Sequence, residues 1–126
     1  LASLVNTVDS PRFALTVDTN NFRIDQDNPY DQDSSSLPAY VNRYEGLQTL
    51  MPFARWVSAK CYAFDNTGYE LSMDYPRILD IILASDYRGY ISVEYEGAGD
   101  PLDGVRQGVE MFRALRSHFA TMTKAQ

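Results

Sequence analysis

Residues 90–109 read YISVEYEGAGDPLDGVRQGV. The first eight, YISVEYEG, form an apolar-rich run that reads as a strand, and Gly97, Gly99 and Pro101 end it. A helix follows, starting at Asp103 or its neighbours. Val105, Val109, Phe112, Leu115 and Phe119 form its apolar stripe. A strand feeding a helix through a glycine-rich turn is one βα unit, and the same order recurs upstream.

RFALTVD at 12–18 reads as a buried strand, preceded by the tail of a helix over residues 1–8 that Asp9-Ser10-Pro11 breaks. TNNFRIDQDNPY at 19–30 is loop chemistry, and residues 31–36 are polar. Spacings of three and four predict a helix over 37–51, with Gly46 as its weak point and Pro52 ending it or opening a final turn. ARWVSAKCY at 54–62 is the second strand, and Asp65 to Gly68 a turn. Asp74 caps a third helix carrying Pro76 at its second position, with Ile78, Leu79, Ile82 and Leu83 on one face. Strand, helix, strand, helix, strand, helix is most economically built as right-handed βα units on a parallel sheet, an α/β fold. Three such strands leave much apolar sheet and edge uncovered, so part of a larger α/β protein, or an assembly supplying the rest, is expected.

The 126 residues suit one domain, since about 100–200 residues per domain is usual. An apolar fraction of 44% with 13% aromatics supports a folded core. Eleven Lys and Arg against 17 Asp and Glu give a net charge of −6. The arginines are scattered, so neither nucleic acid nor an anionic membrane is expected as a partner. The single cysteine can form no internal disulfide, which fits a reducing, cytoplasmic setting. No apolar run approaches the roughly 18 residues of a membrane span. LASLVNTVDS at the start lacks the features of a signal peptide, and with no initial Met an amino-terminal portion is expected to be missing.

In parallel α/β folds the carboxyl ends of the strands carry function. Asp18, Lys60 and Glu94 stand at those ends. Two carboxylates there suit a divalent cation bound through oxygen, and a lysine suits an oxyanion or a hydroxyl. Plainer readings stand beside these: Asp18 caps its turn, Glu94 is a surface ion pair, Lys60 is a solvated strand end. Glu96 either shares the rim with Glu94, since it points the same way along a strand, or orients Arg106 from the loop. His118 reads as a surface histidine and Cys61 as an inert thiol with no base beside it. Dinucleotide, Walker, zincin and serine-elbow motifs are absent.

LTVDTNNFR at 15–23, WVSAKCYAFD at 56–65, DYPRILDIIL at 74–83 and YISVEYEGAGDPLDGVRQGV at 90–109 together resemble the sugar-phosphate isomerase/epimerase family with the xylose-isomerase-like TIM barrel. The resemblance runs from about residue 8 to 117 and implies the carboxy-terminal part of such a barrel, three βα units over residues 1–126 without the amino-terminal strands. It implies a divalent cation (Mn, Mg, Co or Zn) with Asp18 and Glu94 among its ligands, and a further glutamate upstream of this chain. It implies Glu94 and Lys60 as catalytic, and Asn21, Lys60 and Glu96 as substrate-binding. The family's histidine position falls on Ser58, which lacks an imidazole's basicity. Residues 25–51 look longer than the family's corresponding segment.

Two functions follow as expectations. One is a divergent metal-dependent sugar (phosphate) isomerase or epimerase, moving a proton next to a carbonyl and impaired in this chain alone. The other is a noncatalytic carbohydrate-binding or assembly module on the same scaffold. Either takes a sugar or sugar derivative, with a homo-oligomer or a complementing barrel portion as partner.

Overall fold

The computed structural model describes residues 1–22 and 42–123, from residue 118 onward by backbone alone. The readings made for residues 23–41, for the His118 side chain and for the Phe119 end of the apolar stripe lie outside the described residues. The elements are α1 (Ala2–Val8), β1 (Leu15–Asp18), α2 (Arg43–Leu50), β2 (Ala54–Cys61), α3 (Tyr75–Ala84), β3 (Ile91–Tyr95) and α4 (Pro101–Thr123), with a 3-10 turn at Met51–Phe53. The strands form one parallel sheet in the order β1-β2-β3. Three parallel strands alternating with helices in an open sheet is the α/β architecture expected from the βα order. No described helix is long and apolar enough to cross a membrane.

The chain divides into two compact units, Leu1–Ala59 with Arg77–Ser92, and Lys60–Pro76 with Val93–Gln126. In the first, β1 and β2 pair as Thr16↔Trp56, Val17↔Val57 and Asp18↔Ser58. Val17, Leu47, Met51, Val57, Ala59, Ile78 and Ile82 are its buried apolar residues of 5% exposure or less, together with Ala54. β1 begins three residues later than predicted. The Phe13 amide donates to the Ser10 carbonyl at 2.9 Å, closing a turn with Pro11 at its second position, so Arg12 to Ala14 cannot join the ladder. Asn42 caps α2 by accepting from the Tyr44 amide at 2.9 Å, and the helix runs through the buried Gly46. Pro52 sits in the turn that follows, not at a break. On β2 the half-exposed Trp56 lies 5.8 Å from the Tyr90 ring and donates from Nε1 to Ser92 Oγ at 2.8 Å.

In the second unit Cys61, Met73, Tyr75, Met111 and Leu115 are buried. Tyr75 packs edge-on against Phe112, 5.2 Å between centroids. β3 is shorter than residues 90–97: it spans Ile91–Tyr95, and the chain bends from Gly97 onward. α4 starts earlier than Asp103. Pro101 is its first residue, a place where the missing N–H costs nothing, and Asp100 caps it by accepting from the Asp103 amide at 2.9 Å. Two glycines one turn apart let α4 lie close on β3. A Cβ on Gly104 would strike the Tyr95 ring, and one on Gly108 would stand 2.6 Å from Val93 Cγ1. Residues 63–71 fold back on themselves. Phe64 bridges Glu70 antiparallel, Gly68 takes φ 86°, and the Asp65 carboxylate accepts from the Thr67 amide and hydroxyl and the Tyr69 amide. Those donors, the Thr67 hydroxyl first, hold the Asp65 carboxyl below its ordinary range.

Replacing glycine by alanine inside a helix ordinarily stabilises by about 1 kcal/mol. At Gly108 the sign reverses, because the new methyl overpacks Val93, at a cost of about 1–3 kcal/mol. Urea unfolding of Gly108→Ala is expected to show a net loss of stability, and a gain would show that α4 does not sit this close to β3.

Candidate functional site

In the second unit three of the predicted rim residues, Lys60, Glu94 and Glu96, come together. Lys60, next to last on β2, is 6% exposed. Its ammonium donates to Glu96 Oε1 at 3.0 Å and lies 4.0 Å from Glu94 Oε2, with both carboxylates half-exposed. Glu94 reaches this nitrogen from β3 and Glu96 from the first residue beyond it. Glu96 lies just past the end of β3, and its carboxylate turns to Lys60. Arg106 does not turn to Glu96 but bonds to Asp103, three residues back on its own helix. A buried ammonium is tolerated only when paired. Here its partners are two carboxylates that also face solvent.

The backbone beneath Lys60 is held from several sides. The Tyr75 hydroxyl donates to the Lys60 carbonyl, and the Glu96 amide donates to the Cys61 carbonyl at 2.9 Å. Cys61, the next residue, points the opposite way, 3.6 Å from where a Gly108 Cβ would stand and 3.9 Å from the Tyr75 hydroxyl. Burial pushes its thiol up to about 12, with the Glu70 charge adding to the rise and the Tyr75 hydroxyl opposing it. Cys61 is an inert core thiol.

Sequence reasoning missed Glu70. It is 6% exposed and accepts from the Tyr62 amide at 3.2 Å, the Ser72 hydroxyl and amide at 2.7 Å each, and the Met73 amide at 2.7 Å. The available signal was an acidic residue followed two positions later by serine, just ahead of the Asp74-Tyr75-Pro76 helix start.

Asp18 and Asn21 lie in the first unit. Asp18 Oδ1 accepts from the amides of Asn20 at 2.7 Å and Asn21 at 3.0 Å, so the carboxylate closes the turn after β1. Ser58, at the family's histidine position, is Asp18's neighbour in register and is 9% exposed, and its carbonyl accepts from the Thr19 amide at 2.9 Å. Asn20 Oδ1 accepts from the buried Arg43 at 2.6 Å, a second pairing that the sequence did not suggest. Asp18 and Glu94 offer the oxygen donors a hard cation takes. Among the described residues no three His, Cys, Asp or Glu side chains gather as a metal-ligand set, and Glu94 already has an ammonium beside it.

The chain is similar to the C-glycoside deglycosidase alpha subunit of Arthrobacter globiformis. The two are 35% identical in an alignment 101 residues long that covers 75% of this chain and 28% of that protein. No family model matches the chain. The chain is thus an α/β segment distantly related to a subunit of a sugar-acting enzyme, and spans well under a third of that relative's length.

Because the Cys61 thiol rises from its ordinary 9.0 to about 12 on folding, the unfolded thiol ionises first as pH increases. The stability it contributes is whole below pH 9.0 and is lost as pH climbs toward about 12. Urea midpoints measured on either side of pH 9.0 are expected to fall with pH, and Cys61→Ala to fall less steeply. Equal slopes would place the thiol in a wetter site.

Proposed function

We propose that the chain is the carboxy-terminal part of a xylose-isomerase-like barrel in a sugar-acting enzyme subunit, and that it takes part in moving a proton at a carbon next to a carbonyl. The observation that carries this is the buried Lys60 ammonium bracketed by Glu94 and Glu96 at the strand ends. The arrangement suits enediolate chemistry. The Glu94 carboxylate takes the carbon-bound proton, and the electron pair of that bond moves onto the carbonyl oxygen. The Lys60 ammonium then faces the developing oxyanion, where a fixed positive charge in a partly buried site is most effective. Returning the proton to the adjacent carbon, while the hydroxyl proton of that pair passes from one enediolate oxygen to the other, isomerises the sugar, and returning it to the opposite face of the same carbon epimerises it. Glu96 accepts hydrogen bonds from substrate hydroxyls.

The roles of Asp18 and Asn21 rest on the resemblance alone. By that resemblance Asp18 and Glu94 are each ligands for a divalent cation (Mn, Mg, Co or Zn), and Asn21 contacts the sugar. Such a cation supplies Lewis-acid polarisation of the carbonyl. The relative's name supports a sugar derivative such as a C-glycoside as substrate, other subunits as partners, and a cytoplasmic setting is retained from the cysteine count. A noncatalytic carbohydrate-binding or assembly module is the second reading, favoured by one feature: Ser58 stands where an imidazole is expected.

In the complete protein, Glu94→Gln is expected to lower turnover of a sugar substrate by about 10²–10⁴-fold, the usual contribution of a general acid or base. Incorporation of solvent deuterium at the carbon next to the carbonyl, followed by proton NMR, should fall in parallel. Unchanged exchange in that variant would overturn the acid/base assignment. Titration with Mn²⁺ read by electron paramagnetic resonance is expected to weaken in Asp18→Asn. Sugar binding without exchange in the unmodified protein would favour the module.

A further inference from the structure

The buried Glu70 carboxylate takes no place in the proton transfer, yet it accepts four hydrogen bonds. Its Oε1 accepts from the Tyr62 amide and the Ser72 hydroxyl, and its Oε2 from the Ser72 and Met73 amides. Four donors match the roughly four acceptor sites of an ionised carboxylate, so the group is committed to structure and not offered to a ligand. What it joins is specific. Tyr62 is the second residue beyond Lys60, where β2 has just ended. Ser72 and Met73 lead directly into α3, whose first residue, Tyr75, reaches back to the Lys60 carbonyl. The Tyr75 amide also donates to the Met73 carbonyl at 3.1 Å. These bonds close a circuit from Lys60 through Tyr62, Glu70, Met73 and Tyr75 back to Lys60.

Strand ends ordinarily fray, and a long lysine side chain has many rotamers to lose on ordering. We infer that Glu70 is a positioning residue: it fixes the Lys60–Tyr62 backbone to the start of α3 and so holds the Lys60 ammonium between Glu94 and Glu96. The catalytic consequence rests on the function proposed above, whereas the placement of Lys60 does not. The carboxylate form is required. An amide at position 70 directs an NH2 group at two of the four donors, setting donor against donor at one end of the clamp.

The test uses the complete protein carrying Glu70→Gln. Acetylation of Lys60 by an N-hydroxysuccinimide ester at fixed pH is followed by peptide mass spectrometry and normalised to Lys124, beside a thermal melt and steady-state kinetics. A folded Glu70→Gln protein is expected to acetylate at Lys60 about tenfold faster, the factor that follows from losing one charge-assisted hydrogen bond. Its kcat is expected to fall more than its KM changes. Where Glu70→Gln does not fold, Tyr75→Phe opens the same circuit by a single hydroxyl and is expected to act in the same direction. Faster acetylation supports the inference. Wild-type acetylation in a folded variant overturns it, whatever the activity does. Faster acetylation with unaltered turnover leaves the positioning intact and removes Lys60 from the proposed mechanism, which separates the two ideas.

Discussion

The ammonium of Lys60 is the constraint around which the second unit is arranged. A positive charge that is 6% exposed is tolerable only with opposite charge in reach. Glu96 bonds to it directly and Glu94 lies within ion-pair distance, one from just past the end of β3 and the other from the strand itself. Alternation along β2 sends Cys61 to the opposite side, among Tyr75 and α4, where an apolar thiol belongs. One strand end thus separates a charged rim from a dry core within two consecutive residues. The raised thiol of Cys61 is the electrostatic record of that separation.

The dry side is built by close approach. Gly104 and Gly108 remove two side chains from the face of α4 that meets Tyr95 and Val93. Glycine is a poor helix former, and the helix accepts two because packing against the strand outweighs local propensity. The same face carries Phe112, which meets Tyr75, and Tyr75 in turn anchors the Lys60 carbonyl. Helix packing and rim geometry are therefore linked through one tyrosine.

Much of this was legible beforehand, and what was not has identifiable causes. β2 and α3 fell close to their predicted bounds because an apolar run and a capped amphipathic stripe leave few alternatives. β1 was read too long because apolar content at Phe13 and Ala14 masked the turn that Pro11 sets. α4 was read too short because Pro101 looks like a strand breaker in one direction and a first helical residue in the other. Among the rim residues, Lys60, Glu94 and Glu96 were visible as charges closing apolar runs. Asp18 was visible as well, and its bonds to the Asn20 and Asn21 amides match the plain capping role that stood beside the ligand role. Glu70 and Arg43 were not visible, since a charged residue in a polar stretch looks solvated until its partners are known. Glu70 serves backbone amides up to eight residues away, and Arg43 bonds to Asn20 across 23.

The sequence by itself determined the order of strands and helices, the α/β class and which charges stand at strand ends. These follow from periodicity and from residues such as proline and glycine whose backbone limits are intrinsic. Only the tertiary structure decided which charge meets which. It set Glu96 on Lys60 while Arg106 stayed with Asp103, buried Glu70 as a clamp, and set Ser58 beside Asp18. Pairings of this kind depend on distances between residues far apart in the chain, and a hydrogen bond or ion pair has no signature in sequence until the backbone brings its two ends within about 3–4 Å.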